Sequence, residues 1–343
     1  MDKGQLKKDV SDHPLRTIAV IGSNSFSGSD FIDLLLEDPR NRVLGVSRSA
    51  EKSATFLPYK RHDRFKFTFH QMDLNKDSHR IIRLFDSMKP DYIVNFAAQS
   101  EVAPSWQHPE QWFQTNAVAL AKLTNALKER EYLKRYVHIS SPEVYGTCEG
   151  RVTEYAPLNP STPYAASKAA GDLYLFTLVK NYNFPLVMIR ATNVYGAYQQ
   201  LFKIIPRTII SLKMGRKIHL HGGGQAVKSY IHIRDVSRGE LLAMEQGQLG
   251  KIYHFSPKRG IAVKDVVQQL CHIFGKDLSQ STVTVEERLG QDAAYEIDSS
   301  RSREELGWSP QITFDEGLRQ TASWIKKNWQ IISNSSLEYQ HAA

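Results

Sequence analysis

Cysteine is nearly absent from this chain: there are two in 343 residues, Cys148 and Cys271, in neither a CxxC nor a Cys/His ligand spacing. That argues against a disulfide framework and a zinc site, fits a reducing compartment, and sets the expectation that no metal is bound. Long apolar runs are missing too. No stretch reaches the length a bilayer requires, and residues 1–14 are polar with no apolar signal core, so no membrane partner is expected and the expected compartment is the cytoplasm. The net charge of +8 is spread along the chain, without a Lys/Arg block or a nucleic-acid motif. Such a surplus suits solubility and anionic small molecules, and nucleic acid is not an expected partner. Internal repeats and low-complexity segments are also lacking. What remains, 41% hydrophobic and 23% charged residues, is ordinary globular composition with enough chain for a large core and a second, smaller lobe.

The apolar segments alternate in kind. Thr17-Ile18-Ala19-Val20-Ile21 is a β-branched run, followed by the small-residue turn Gly22-Ser23-Asn24-Ser25-Phe26-Ser27-Gly28 and a helix-period stretch, Phe31 to Leu36. Strand, turn and helix in that order let backbone N–H groups at a helix N-terminus meet a pyrophosphate. Gly22, Asn24, Ser25, Phe26, Ser27 and Gly28 are therefore candidate cofactor ligands. A three-glycine turn would carry glycine where Ser25 stands, and serine is small enough there provided its φ is ordinary. The second strand, residues 42–46, ends in Ser47-Arg48-Ser49, where an NAD site would show an acidic residue for the ribose hydroxyls. Ser47 and Arg48 suit a 2′-phosphate, which favours NADP and leaves NAD as the alternative.

Residues 65–69 alternate apolar with polar as a third strand and lead to Asp73 and Leu74, placed to meet an adenine. A helix over 78–88 leads to a fourth strand, Tyr92-Ile93-Val94-Asn95, and then to Phe96, Ala97, Ala98, Gln99 and Ser100. Their small side chains would let the backbone run close under a nicotinamide ribose. A long helix over 110–130 carrying Asn116, a strand ending at Ser140, a helix over 163–180 and a strand over 186–189 continue a βαβ series.

Within that series Ser141 ends a buried-strand pattern, and Tyr164 and Lys168 stand four residues apart on one helix face. An ammonium beside a phenol draws the phenol's pKa of about 10 towards neutrality. Tyr164 is thereby a candidate base for an alcohol whose oxygen Ser141 could hold.

Taken together, Asn95-Phe96-Ala97-Ala98-Gln99-Ser100, Ser141-x-Glu143-Val144-Tyr145-Gly146, Pro163-Tyr164-x-x-Ser167-Lys168, Arg190-x-x-Asn193-Val194-Tyr195-Gly196 and Asp298-Ser299-Ser300 with Glu305-Leu306-Gly307-Trp308 resemble an extended short-chain dehydrogenase/reductase. The resemblance is to the nucleotide-sugar epimerase/dehydratase group, most like the 4,6-dehydratases of GDP-mannose and dTDP-glucose type, and runs from about residue 17 to about 328. It implies an α/β fold: a Rossmann-type doubly wound parallel sheet with a smaller C-terminal α/β lobe for a nucleoside diphosphate sugar. The expected division is a flexible N-terminus over 1–14, an NAD(P)-binding domain over 15–190, a substrate lobe mainly over 191–330 and interleaved with the first, and a loose tail over 331–343. A homodimer joined by the helices at about 110–130 and 163–180 is implied as well, with a tightly held NAD(P) that is recycled.

Glu143 separates the possible reactions. Ser141, Tyr164 and Lys168 suffice for a 4-epimerase. A carboxylate beside a 4-keto sugar can also remove the acidified C5 proton, so that the C6 hydroxyl leaves as water and hydride returns to C6. The resembling dehydratases often carry Asp before this Glu; here Pro142 stands there, as a non-acidic residue does in the GDP-mannose type, so Glu143 itself or a water must supply the leaving group's proton. Decarboxylation of a C6 carboxylate uses the same parts. From another class, a non-catalytic dinucleotide-binding regulator or scaffold shares the fold, although such proteins tend to lose the Tyr or Lys. Ser100 and, in the second lobe, Asn193, Lys203, Arg207, Lys228 and Arg288 are expected around the substrate, with Lys228 where relatives usually carry Arg. His221, His232, Trp308 and Trp324 read as structural.

Overall fold

The computed structural model describes residues 14–147, 150–286 and 296–341. The first strands, β1 (Arg16–Ile21), β2 (Asn41–Ser47), β3 (Phe67–Gln71), β4 (Tyr92–Asn95) and β5 (Arg135–Ile139), are followed by the short β6 (Arg151–Val152). Then come β7 (Leu186–Ala191), β8 (Asn193–Tyr195), β9 (Ile218–His221), β10 (Val227–Lys228), β11 (Tyr230–His232) and β12 (Ile252–Phe255). Seven of these form one parallel sheet in the order β12-β7-β5-β4-β1-β2-β3. The order reverses between β1 and β4, and ligands of doubly wound sheets bind at the carboxyl ends of such a pair.

Alternation along the strands sorts the core into two layers. Ile18, Val20, Val137, Val187 and Ile189 pack with α1 (Phe26–Leu35) on one face. Ala19, Ile21, Tyr136, Leu186 and Met188 face the other way, against α2 (Ser78–Met88) and the helices that follow. The third strand begins two residues later than its alternation suggested, because residues 64–66 are still a 3-10 turn and Phe65 is exposed.

The single helix expected over 110–130 is broken into pieces. After α3 (Val102–Ser105) come α4 (Pro109–Phe113), a π-helical stretch at Gln114–Ala119, and α5 (Leu120–Leu127). Apolar periodicity cannot distinguish a π insertion from a continuous helix, and such insertions are frequent at functional sites. The next helix, α6 (Pro163–Tyr182), is continuous.

After residue 191 the chain builds a second cluster from α7 (Ile204–Met214), β9 and later elements, yet returns to the sheet through α8 (Ile233–Gln246) and β12. Helices α9 (Val263–Ile273), α10 (Leu278–Ser281), α12 (Phe314–Lys327) and α13 (Trp329–Ile332) complete the second cluster, whereas α11 (Ser300–Leu306) packs on α8 and β12. Trp308 donates to Asp235 O and Trp324 to Thr55 O, both as buried packing residues. Cys271 is a buried free thiol; Cys148 lies outside the described residues. Residues 331–341, expected as part of a loose tail, are docked. Ile332 is fully buried, Leu337 packs on the second core, and Tyr339 meets the Phe202 ring edge-on at 5.5 Å. His341 stacks on Trp112 of α4, with centroids 5.3 Å apart and planes 8° from parallel. Low sequence periodicity hid this, because the residues dock as single anchors rather than as an element.

Candidate active site

The turn after β1 explains its own departure from three glycines. Ser25 has φ −72° and ψ 161°, needing no left-handed backbone, and its hydroxyl caps α1 by accepting from Gly28 N at 3.0 Å. Gly22 does need to be glycine: its φ is +86°, and a Cβ there would stand 2.8 Å from Ala97 N. A Cβ on Gly28 would come within 2.5 Å of Gly22 O, so helix and turn meet only through glycine. Gly22, Asn24 and Ser25 line a pocket at the switch point, together with Ser47, Arg48, Asp73, Leu74, Phe96, Ala97, Ala98 and Gln99. Phe26, Ser27 and Gly28 form the first turn of α1 and are not on the pocket wall. Ser49, Lys52, Asn75 and Thr115, not singled out from the sequence, are on it. Asn24 clamps the loop after β2 through Ser49 and Ala50, while its Oδ1 and that of Asn75 are buried with no hydrogen-bond partner among the described residues. A close-approach glycine turn at a helix N-terminus, cations and hydroxyls at the end of β2, and spare buried oxygens fit a dinucleotide. There is no cluster of metal-ligating side chains among the described residues.

Ser141, Tyr164 and Lys168 are all buried, on the wall of neither pocket described here. Thr162 caps α6 by accepting from Ala165 N at 3.1 Å and Pro163 opens the helix, which sets Tyr164 in its first turn and Lys168 one turn on. Ser141 Oγ accepts from Glu143 N at 3.2 Å in the 3-10 turn Pro142–Tyr145. The phenol departs from expectation in sign. Burial pushes Tyr164 above its usual range, the Glu143 carboxylate pushes it further, and the hydrogen bond with Ser141 acts in the opposite direction. The ammonium of Lys168 is engaged elsewhere, donating to Ile139 O at 2.8 Å and lying 3.3 Å from His138 Nε2. Burial pushes Lys168 down to about 8; Asp172 opposes that shift and Arg190 adds to it.

Next to these groups lies a buried polar platform, built partly from motif residues, whose pairing motif reading did not show. Arg190, at the end of β7, pairs with Asp172 of α6 at 2.7 Å, donates to Tyr145 OH, and lies over the Tyr145 ring at 4.7 Å. Tyr145 in turn meets His254 Nε2 at 2.7 Å, and Ser140 donates to Asp172 at 2.5 Å. Asn116, in the π stretch, accepts from Gln99 N at 2.9 Å and donates to Gln99 O and to Ser167 Oγ. It thus ties the loop after β4 to the helix bearing Tyr164 and Lys168. The available signal was polar residues set inside apolar strand runs: His138 in β5, Arg190 in β7 and His254 in β12.

Asn193, Lys203, Arg207 and Lys228 line a second, larger pocket, but two of the cations already face acids: Lys203 lies 2.7 Å from Glu101 and Arg207 3.6 Å from Glu338. Residues 333–338 form part of the wall of this pocket. Ser100 is exposed and lines neither pocket, and Arg288 lies outside the described residues. His221 lines the second pocket with its ring on Glu286 O, whereas His232 caps α8 by accepting from Arg234 N.

Comparison with known proteins agrees with this geometry. Residues 20–321 match the family described as GDP-mannose 4,6 dehydratase. A dTDP-glucose 4,6-dehydratase of Haemophilus influenzae is 29% identical over 336 residues, spanning 92% of this chain and 99% of its own. DesIV, a dTDP-glucose 4,6-dehydratase of Streptomyces venezuelae solved with NAD bound, shows a TM-score of 0.84 at 31% identity over 92% of this chain and 98% of that one. A UDP-glucose 4-epimerase of Thermotoga maritima solved with UDP-glucose gives 0.83 at 26%, over 91% and 99%. With the sheet order, the glycine turn and the Ser141, Tyr164 and Lys168 constellation in place, the match across most of its length establishes that this chain belongs to the GDP-mannose 4,6-dehydratase family of nucleotide-sugar enzymes.

Proposed function

We propose that the protein is a nucleotide-sugar 4,6-dehydratase, converting a nucleoside diphosphate hexose to its 4-keto-6-deoxy form. Glu143 carries this reading: its charge acts directly on Tyr164, which puts a third proton-handling group beside the serine and tyrosine. Ser141 holds the C4 oxygen and Tyr164 takes its proton. Lys168 keeps positive charge near both. Glu143 then removes the C5 proton and passes a proton to the departing C6 hydroxyl, since Pro142 has none to give, so that water leaves, and a proton from solvent afterwards refills C5. When bound, a nicotinamide dinucleotide supplies the hydride acceptor for C4, the hydride donor for C6 and, oxidised, a positive charge opposing the burial penalty on the Tyr164 phenolate. Gly22, Asn24, Ser25, Ser47, Arg48, Asp73 and the 96–99 loop would hold it; Asn193, Lys203, Arg207 and Lys228 would hold the substrate.

Arg48, Lys52 and the hydroxyls of Ser47 and Ser49 at the adenosine end of the first pocket, with no acidic residue closing β2, favour NADP over NAD. A 4-epimerase is the second reading, favoured by the likeness to an epimerase structure and by the missing acid at Pro142. Incubating the protein with a panel of nucleotide sugars in deuterated water decides between them. The expected product is a 4-keto-6-deoxy sugar carrying deuterium at C5, and NADP in the extract of the same preparation. An epimer without solvent label removes the dehydratase, and extracted NAD removes the NADP preference.

Phe113, Val118 and Leu173 leave apolar side chains exposed on α4, the π stretch and α6. Pairing of these helices between two copies would cover them, and the protein is expected to sediment as a homodimer. A monomer at micromolar concentration would contradict that.

A further inference from the structure

Lys168 has a neighbour that the chemistry above leaves unused. Its side chain is 1% exposed, and a buried ammonium needs acceptors for its hydrogens. Successive residues of β5 supply two: Ile139 O at 2.8 Å and His138 Nε2 at 3.3 Å. Strand alternation puts His138 on the same face of the sheet as Tyr136, the face covered by α6, where Lys168 stands.

The charged and titratable groups around the imidazole are few. Lys168 and Asp172 face it from α6, and Arg190 acts on it from β7. Tyr136 shares its face of β5, with its phenol taken by Asn95 of β4. Tyr145 and His254 lie beyond Arg190. Burial, reinforced by Lys168 and Arg190, holds His138 well below its ordinary range, so the ring is neutral. A neutral ring has one donor nitrogen and one acceptor. Facing an ammonium, Nε2 must be the acceptor and Nδ1 carries the hydrogen. That Nδ1 is buried without a hydrogen-bond partner among the described residues. The other tautomer would need Asp172 Oδ1 to accept from Nε2, and at 3.6 Å it is too far. The fold leaves a buried donor unmade and keeps the contact with Lys168.

We propose that His138 is a positioning residue for catalysis: as the Nδ1–H tautomer it accepts a hydrogen from Lys168, fixing the ammonium at the carboxyl end of β5 and favouring its charged form. The inference rests on the reading of Lys168 as the cation that supports Tyr164, given above.

Two variants and two readouts test it. His138→Leu removes the acceptor and fills the space; His138→Gln restores an acceptor oxygen at the reach of Nε2. In the leucine variant the alkaline limb of kcat against pH is expected to fall by about one unit and kcat at pH 8 by about fivefold, with KM for the sugar nucleotide unchanged. The glutamine variant is expected to return the limb to its original position. A leucine variant with the original limb overturns the proposal, as does a glutamine variant displaced as far as the leucine one while melting at the wild-type temperature. Should the leucine protein not fold, His138→Asn, whose oxygen is too short to reach Lys168, replaces it. The second readout needs no turnover: in lysine-labelled protein, assigned with Lys168→Arg, the 13Cε shift of Lys168 titrates near 8 and its midpoint drops in the leucine or asparagine variant. An unmoved midpoint defeats the positioning role, whereas a moved midpoint in a protein with no dehydratase turnover defeats only the function on which the role was built.

Discussion

Exchanging Glu143 for glutamine is expected to slow formation of the 4-keto-6-deoxy product by roughly 10²- to 10⁴-fold, the range a positioned general base contributes. The amide keeps the size of the side chain and the hydrogen bond from Glu143 N to Ser141 Oγ, since that bond is made by the backbone. What is lost is the ability to take the C5 proton, so deuterium at C5 falls in step with product. A second effect has the opposite sign. The carboxylate holds the Tyr164 phenol above its ordinary range by repulsion, after burial the larger cause. Neutralising it lowers that phenol, so whatever C4 oxidation remains persists to lower pH than in the unaltered protein. Product assays across pH in deuterated water read both effects. Turnover within threefold of the original would mean that another group moves the C5 proton.

The second large effect concerns stability. Arg190→Met is expected to cost about 3–5 kcal/mol in urea unfolding, because it strands the Asp172 carboxylate in the interior. Arg190 is 1% exposed and Asp172 fully buried, their pair measures 2.7 Å, and the same guanidinium holds Tyr145, the last residue of the 3-10 turn that carries Glu143. Replacing both members, Arg190→Met with Asp172→Leu, should recover much of the loss, since two apolar side chains of similar bulk leave no charge uncompensated. A single replacement costing less than about 1 kcal/mol would show that water reaches Asp172.

Much of this architecture was legible because it is local. The β-branched run before Gly22, the glycine at 28 and the four-residue spacing of Tyr164 and Lys168 each state a backbone geometry that neighbouring residues alone enforce. Ser25 could be read only halfway: its size was visible, but its role as the cap of α1 depends on where Gly28 N points. What spacing could not supply was depth. Tyr164 and Lys168 do share a helix face, yet the sign of the phenol's shift is set by how completely α6 is covered and by where the ammonium finds its acceptors, which are on β5. The same holds for Lys203 and Arg207, whose acidic partners Glu101 and Glu338 lie 102 and 131 positions away and become neighbours only through the packed second lobe. The π insertion escaped for a related reason: Asn116 turns inward to bridge Gln99 and Ser167, a demand that comes from the loop after β4 and from the neighbouring α6.

The last residues give the molecule an optical handle. Residues 333–338 wall the second pocket, and three residues further on His341 lies flat against the indole of Trp112. A ligand that lifts this segment as it enters separates imidazole from indole, and the tryptophan emission changes with it. If the proposed nucleotide sugars enter there, their binding is expected to be readable by intrinsic fluorescence alone, without a dye, a coupled assay or a completed reaction.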